Sequence, residues 1–237
     1  MSGEIFDIDE VYCRLRDGRH PHEAENLQEI EDSWSQRKAA KPELFDGETV
    51  LGNSWRIEGN VLRIECQKIR YAALLHWLDT PASAGTGNSN NSVHFFASAV
   101  VKSSDGKILM GRMGDHTANA GRVYMPSGSI EVEDFRNGQG DFASNMRREV
   151  LEETGLDLNE AQAAHRYSAY FGNGILALFR QFDFPASSAD LLEWTMAHLK
   201  NNDDNGHRNE LAEVMMRNCD ELDENMPTHI KAYVMRV

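Results

Sequence analysis

Cysteine is scarce: Cys13, Cys66 and Cys219 are the only three in 237 residues, far apart and without a C-x-x-C spacing. That pattern indicates neither a disulfide framework nor a zinc site, and it makes a cytoplasmic location the default expectation. No apolar run approaches the roughly 18 residues that a membrane-spanning helix needs. The opening stretch MSGEIFDIDEVYCRLRDG is acidic and lacks an apolar h-region, so neither export nor membrane insertion is expected. Basic charge is also short, with 24 Lys and Arg against 38 Asp and Glu and a formal net charge of -14. Proteins that grip long nucleic acid cluster cations to displace phosphate counterions, so that partner is not expected. A small anionic ligand remains compatible where divalent cations or a local arginine screen the field.

What is present divides at residues 80 to 92, TPASAGTGNSNNS, which hold no large apolar side chain and read as a linker or loop, bounded at 81–92. Before it, residues 22–40 read as a polar helix. GETVLGNSWRIEGNVLRIEC alternates about Glu58-Gly59-Asn60 as a hairpin does, and IRYAALLHWLD reads as a short helix. Trp34, Trp55 and Trp77 are expected to build a small core there. After it, VHFFASAVV and ILMGRM flank the turn at Asp105-Gly106, and HRYSAYF and GILALFRQFDF flank Gly172-Asn173-Gly174. DLLEWTMAHLK reads as a helix, ELAEVMMRN as a strand and the C-terminal PTHIKAYVMRV as a helix. Strands and helices mix without regular βαβ alternation, so the fold class is α+β. A small N-terminal α+β extension, 1–80, precedes the main domain, 93–237.

The segment RREVLEETGL, residues 147–156, is unusual for its charge. Asp141 can cap a helix there and Gly155 can end it. At about 100° per residue, Glu149, Glu152 and Glu153 fall within an arc of roughly 100°. Ala143, Met146 and Val150 occupy an adjacent face that can bury against a sheet. Like charges at this spacing repel, and a counter-charge is required. A solvated acidic face is the plain reading of a bare E-x-x-E-E string.

The surrounding residues favour another. Gly128, Arg148, Glu149, Val150, Glu152, Glu153, Gly155 and Leu156 follow in order, and together this resembles the Nudix hydrolase signature G-x5-E-x7-R-E-U-x-E-E-x-G-U, with U a bulky apolar residue. Two positions depart from it. Asp134 stands where the family has its first glutamate, with FRNGQG, 135–140, as a loop insert, and Ser127 replaces a glycine.

The resemblance covers residues 93–237 and implies the Nudix fold, an α/β/α sandwich with a mixed sheet. It implies hydrolysis of a pyrophosphate bond in a nucleoside diphosphate linked to another moiety, ADP-ribose or a nucleotide sugar being preferred. Nucleoside triphosphates and dinucleoside polyphosphates are the alternative substrates, and a non-catalytic ligand sensor is the alternative class. The cofactor implied is Mg²⁺ or Mn²⁺, hard cations suited to oxygen donors. Glu152 and Glu153 are expected to ligate it, with Glu149 as third ligand or base and a backbone carbonyl from Ser127 or Gly128. Glu213, in NELAEV beside Glu210, is the expected further acidic ligand, while Arg148 is expected to hold the box by an ion pair. Arg112, Tyr170 and Phe171 are candidates for phosphate and base contacts, against the plainer readings of a salt bridge and of apolar core. The partner implied is then a small-molecule nucleotide, and the resemblance implies that the extension helps form either the substrate pocket or a homodimer.

Overall fold

The structure is a computed structural model that describes residues 3–80 and 92–236. The first part contains β1 (Glu4–Ile8), β2 (Glu10–Arg19), α1 (Pro21–Glu25), α2 (Leu27–Ala40), β3 (Glu48–Glu58), β4 (Val61–Arg70) and α3 (Tyr71–Asp79). The second begins with β5 (His94–Lys102), β6 (Ile108–Met113), β7 (Val123–Tyr124), β8 (Ser127–Ser129), β9 (Phe135–Arg136), β10 (Gln139–Gly140) and α4 (Phe142–Thr154). It ends with β11 (Gln162–Ala163), β12 (Tyr167–Gly172), β13 (Ile175–Asp183), α5 (Ser188–Asp204), β14 (Leu211–Arg217) and α6 (Thr228–Val234). None of the helices among the described residues is long and apolar enough to cross a membrane.

The larger sheet runs β1-β12-β13-β5-β6-β14, with β8 on β5, β7 on β6 and β11 on β13. β13 and β5 are parallel from Ile175↔His94 to Asp183↔Lys102, whereas the other pairings of this sheet are antiparallel, so the sheet is mixed. Successive strand residues face opposite sides. Phe95, Ala97, Ala99 and Val101 therefore enter one core with Phe142, Met146 and Val150 of α4 and Leu191 of α5. Val100 and Phe179 enter the other with Ile230, Tyr233 and Val234 of α6. Both faces are covered, which is why β5 reads as a nearly continuous apolar run. The class is α+β, with helices on each side of a mixed sheet.

The smaller sheet runs β3-β4-β2-β10-β9. Among the described residues, two strand pairings and an isolated bridge, Gly52↔Val93, cross the boundary drawn at residues 81–92. β1 adds to the edge of the larger sheet, Glu4↔Phe171 through Ile8↔Tyr167, and Gln139 of β10 pairs with Arg14 of β2. The linker expected at 81–92 lies, for residues 81–91, outside the described residues.

Several local expectations need correction. The insert at 135–140 is a two-stranded hairpin, Gln139↔Arg136 and Gly140↔Phe135, rather than a loop. Asn137 and Gly138 have φ of 52° and 75°, the paired positive values of a tight hairpin turn. The helix expected over 22–40 is broken at Asn26, whose φ of -127° is not helical. Trp77 and Trp34 pack in the core of α2 and α3. Trp55 instead meets Phe171, ring centroids 4.1 Å apart, because its face of β3 looks at the larger sheet.

Candidate active site

α4 is fixed at both ends. Asp141 caps it by accepting from the Ser144 N–H at 3.0 Å. Gly155 ends it at φ 73°, a left-handed conformation that glycine adopts without steric cost. A Cβ on Gly155 would also lie 2.7 Å from His198 of α5, so the same glycine admits a neighbour. Met146 and Val150 are buried, which turns the acidic arc toward the end of β8 and the segment entering β14.

Asp134 belongs to the scaffold of this arc. Its carboxylate is buried and accepts from the Glu131 N–H at 2.9 Å and from Asn145 Nδ2 at 2.9 Å. Arg148 Nη2 approaches it at 3.4 Å, and Arg148 Nη1 lies 2.7 Å from Glu149 Oε1 and 3.6 Å from Glu152 Oε2. Asn145, fully buried, also donates to the Ser129 carbonyl at 3.1 Å, tying α4 to β8.

Glu149 lies against Gly128, where a Cβ would be 2.0 Å from its carboxyl carbon. Burial pushes the Glu149 carboxyl up to about 7, against the pull of Arg148 and with the push of Glu152 and Glu210. Burial likewise drives Glu153 well above the usual carboxylate range, Glu149 and Glu210 adding to it while the Ser127 N–H opposes. Glu152 stays exposed. A cavity of about 190 Å³ is lined by these three glutamates and by Glu210, Asn202, Arg208 and Asn209.

Glu210, not Glu213, is therefore the carboxylate brought to the box. Its backbone carbonyl accepts from the Gly114 N–H at 2.7 Å, which sets the entry into β14. Glu213, past an irregularity in the β14 register, accepts from Arg112 Nε at 3.0 Å instead. Arg112 also donates to the Gly121 carbonyl at 3.2 Å and lies 3.5 Å from Asp223, so its charge is engaged. Tyr170 is buried among the side chains facing α6, and Phe171 faces the other way onto Trp55. Neighbours on one strand cannot form one stacking platform. Ser127 and Gly128 pair with Ser98 and Ala97 on β5, and the Ser127 hydroxyl donates to the Met125 carbonyl at 3.0 Å.

Sequence reasoning passed over Asn202, Arg208 and Asn209. They sit at the end of α5 and in the turn that follows it, and nothing in their spacing links them to the box. The signal available was proximity in sequence to Glu210.

Among the described residues, no three His, Cys, Asp or Glu side chains form a cluster that could hold a metal ion as they stand. The fit to a divalent cation lies in donor chemistry rather than in a preformed cage. Enclosed carboxylates that repel one another, in a cradle only glycine leaves open, are oxygen donors of the kind a hard cation takes.

No family model and no curated protein matches the chain. Solved structures do match. The MutT protein from Methanosarcina mazei Go1 is 17% identical over 61% of this chain and 91% of its own, at a TM-score of 0.40. The Nudix hydrolase RenU from M. smegmatis is 13% identical over 64% and 92%, at 0.41. A Nudix hydrolase from Nitrosomonas europaea is 16% identical over 54% and 74%, at 0.34. Likeness at that level carries no argument about the reaction, which rests on the chain's own residues.

Proposed function

We propose that the chain is a Nudix-type hydrolase that uses a divalent cation, Mg²⁺ or Mn²⁺, to cleave a pyrophosphate bond in a nucleoside diphosphate joined to a second group. The carrying observation is that Glu149, Glu152 and Glu153 of one helix and Glu210 from a distant segment line one small cavity. The ordered signature from Gly128 to Leu156 supports the same reading.

Glu149, Glu153 and Glu210 would hold the metal, with exposed Glu152 able to join them. The bound cation would neutralise phosphate charge and supply hydroxide from water near neutral pH. Arg148 keeps the box in place through its contacts with Asp134 and Glu149. Glu149, beside Gly128 and half-buried, would serve either as one of those ligands or as the base that orients a water and takes its proton. ADP-ribose or a nucleotide sugar is the preferred substrate.

The test is a panel of nucleotides with Mg²⁺ and Mn²⁺, with products identified. A nucleoside monophosphate plus a sugar phosphate supports this reading. A nucleoside monophosphate plus pyrophosphate moves the substrate to triphosphates, and tight binding without any turnover makes the chain a sensor. Metal-independent hydrolysis, or none together with no metal binding, overturns it.

A further inference from the structure

α5 and the turn after it are built against the end of the box helix. His198 Nε2 lies 3.0 Å from the Glu152 carbonyl. A carbonyl only accepts, so this contact is a hydrogen bond in the tautomer with the proton on Nε2, the atom that Asn202 Nδ2 also approaches at 3.2 Å. One turn further on the same face, Asn202 Nδ2 donates to Asn209 Oδ1 at 2.9 Å. Asn209 Nδ2 in turn donates to the Leu199 carbonyl and to Asp203 Oδ1, both at 2.8 Å. The His207 N–H donates to the Asn202 carbonyl at 2.8 Å, and Gly206 takes the positive φ of 76° that the reversal requires. The turn is thus held to α5 at several points, and α5 is held to α4.

Arg208 sits in this turn between His207 and Asn209 and lines the cavity of the glutamates. It is exposed and, among the described residues, makes no ion pair or side-chain hydrogen bond. Arg148, the arginine of the box helix, is by contrast engaged with three carboxylates. A cation fixed by its backbone at the mouth of an acidic cavity, with its own donors unspent, is suited to an anion that enters together with a metal. A guanidinium fork matches two phosphate oxygens.

We propose that Arg208 is a phosphate-binding residue of this site and that His198 is the positioning residue that keeps the turn bearing it over the box carboxylates. The proposal rests on the diphosphate reading above. It adds a recognition element supplied by α5 and its return turn, outside the signature.

Calorimetry of the full chain tests it with three probes: Mn²⁺ alone, inorganic pyrophosphate with Mn²⁺, and ADP with Mn²⁺. Arg208→Gln should weaken pyrophosphate and ADP by about tenfold or more, the scale of one charged hydrogen bond, while binding of Mn²⁺ alone stays within about threefold. Arg208→Lys should recover part of the loss. His198→Leu should weaken pyrophosphate to a similar extent, and His198→Gln, which keeps a donor near Nε2, should restore it, with thermal melts recorded for each variant. Equal pyrophosphate affinity in wild type and Arg208→Gln overturns the phosphate role. His198→Gln behaving like His198→Leu overturns the positioning role. A wild-type chain that binds neither Mn²⁺ nor ADP overturns the diphosphate reading itself and this proposal with it, so the two failures are told apart.

Discussion

The Glu149 carboxyl fills the space that a side chain on Gly128 would need, with a separation of 2.0 Å to a built Cβ. Gly128 is not in a left-handed conformation, so alanine fits the backbone and the conflict falls on the glutamate alone. Gly128→Ala should leave a folded protein whose melting temperature moves by a few degrees, on the order of 1 kcal/mol. Metal affinity, read by Mn²⁺ titration, should drop by about tenfold or more as Glu149 is displaced, a step of roughly 1.4 kcal/mol. Unchanged Mn²⁺ affinity in this variant would remove Glu149 from the ligand set.

The two carboxylates of the β14 segment should separate cleanly. Glu210 lines the box cavity, whereas Glu213 faces Arg112 on an exposed surface. Glu210→Gln should weaken Mn²⁺ binding and turnover by about tenfold or more, comparable with the loss of one charged contact. Glu213→Gln should change stability by no more than about 1 kcal/mol, the worth of a surface ion pair, and leave metal binding intact. Glu152→Gln and Glu153→Gln should each cut turnover by orders of magnitude with little effect on folding, the volume being nearly constant. The reverse ranking of Glu210 and Glu213 in the same titration would restore the ligand expected from sequence.

How much of this was legible follows from the range of each signal. Glu58-Gly59-Asn60, Asp105-Gly106 and Asn173-Gly174 each mark a turn between apolar runs, and each joins two strands that pair. The same signal was present at Asn137-Gly138. In the sequence it reads as a loop because its flanks are only two residues long, and the further partner of β10, β2, lies more than a hundred residues away. β1 is no more apparent, since EIFDI gains its pairing only from the distant β12. The box helix, its cap and its acidic face were legible because they are local. Glu210 against Glu213 was not, because a register irregularity on β14 and the Gly114 contact decide it. Tyr170 and Phe171 were adjacent in sequence and therefore on opposite faces in the sheet.

Asp134 should behave as a structural carboxylate. It accepts from a backbone N–H and from Asn145 and faces Arg148, all in a buried setting. Asp134→Asn places donors against donors there and should cost about 2–4 kcal/mol in urea unfolding, the range for a disrupted buried charged network. Asp134→Glu, the residue of the family signature, overfills the same pocket and should cost about 1–3 kcal/mol. A stable Asp134→Asn with lost metal binding would instead make Asp134 a ligand.

The buried histidines give a pH dependence of known sign. Burial holds His229 down at about 4, with His94 and Arg122 adding to the effect; burial alone holds the half-buried His94 at about 4, and burial with His22 beside it holds His20 at about 4. The unfolded chain protonates near 6.5, so between pH 6.5 and 4 the unfolded state binds more protons and stability falls as pH falls. Glu149 and Glu153, raised in the folded state, act in the opposite direction below about pH 7, so the wild-type curve mixes both. The clean measurement is a difference. His229→Gln should show a slope of stability against pH that is shallower than wild type by up to about 1.4 kcal/mol per pH unit near pH 5, the equivalent of one proton. Parallel slopes would mean that His229 is protonated in the folded protein.

Gly155 meets two demands that a double-mutant cycle separates. Its φ of 73° costs an L-residue about 1–2 kcal/mol, whatever surrounds it. Its α-hydrogen side also lies against His198, where a Cβ would come within 2.7 Å of the ring. Gly155→Ala in wild type should therefore lose both the strain and the packing of α5 on α4. In a His198→Ala background the ring is gone, and Gly155→Ala should lose only the strain. Urea unfolding of the four proteins should give a coupling energy of about 1 kcal/mol or more, since contacting residues are not additive. Additive losses would show that α5 does not bear on the end of the box helix, and the same result would detach the turn carrying Arg208 from the carboxylates it is placed above.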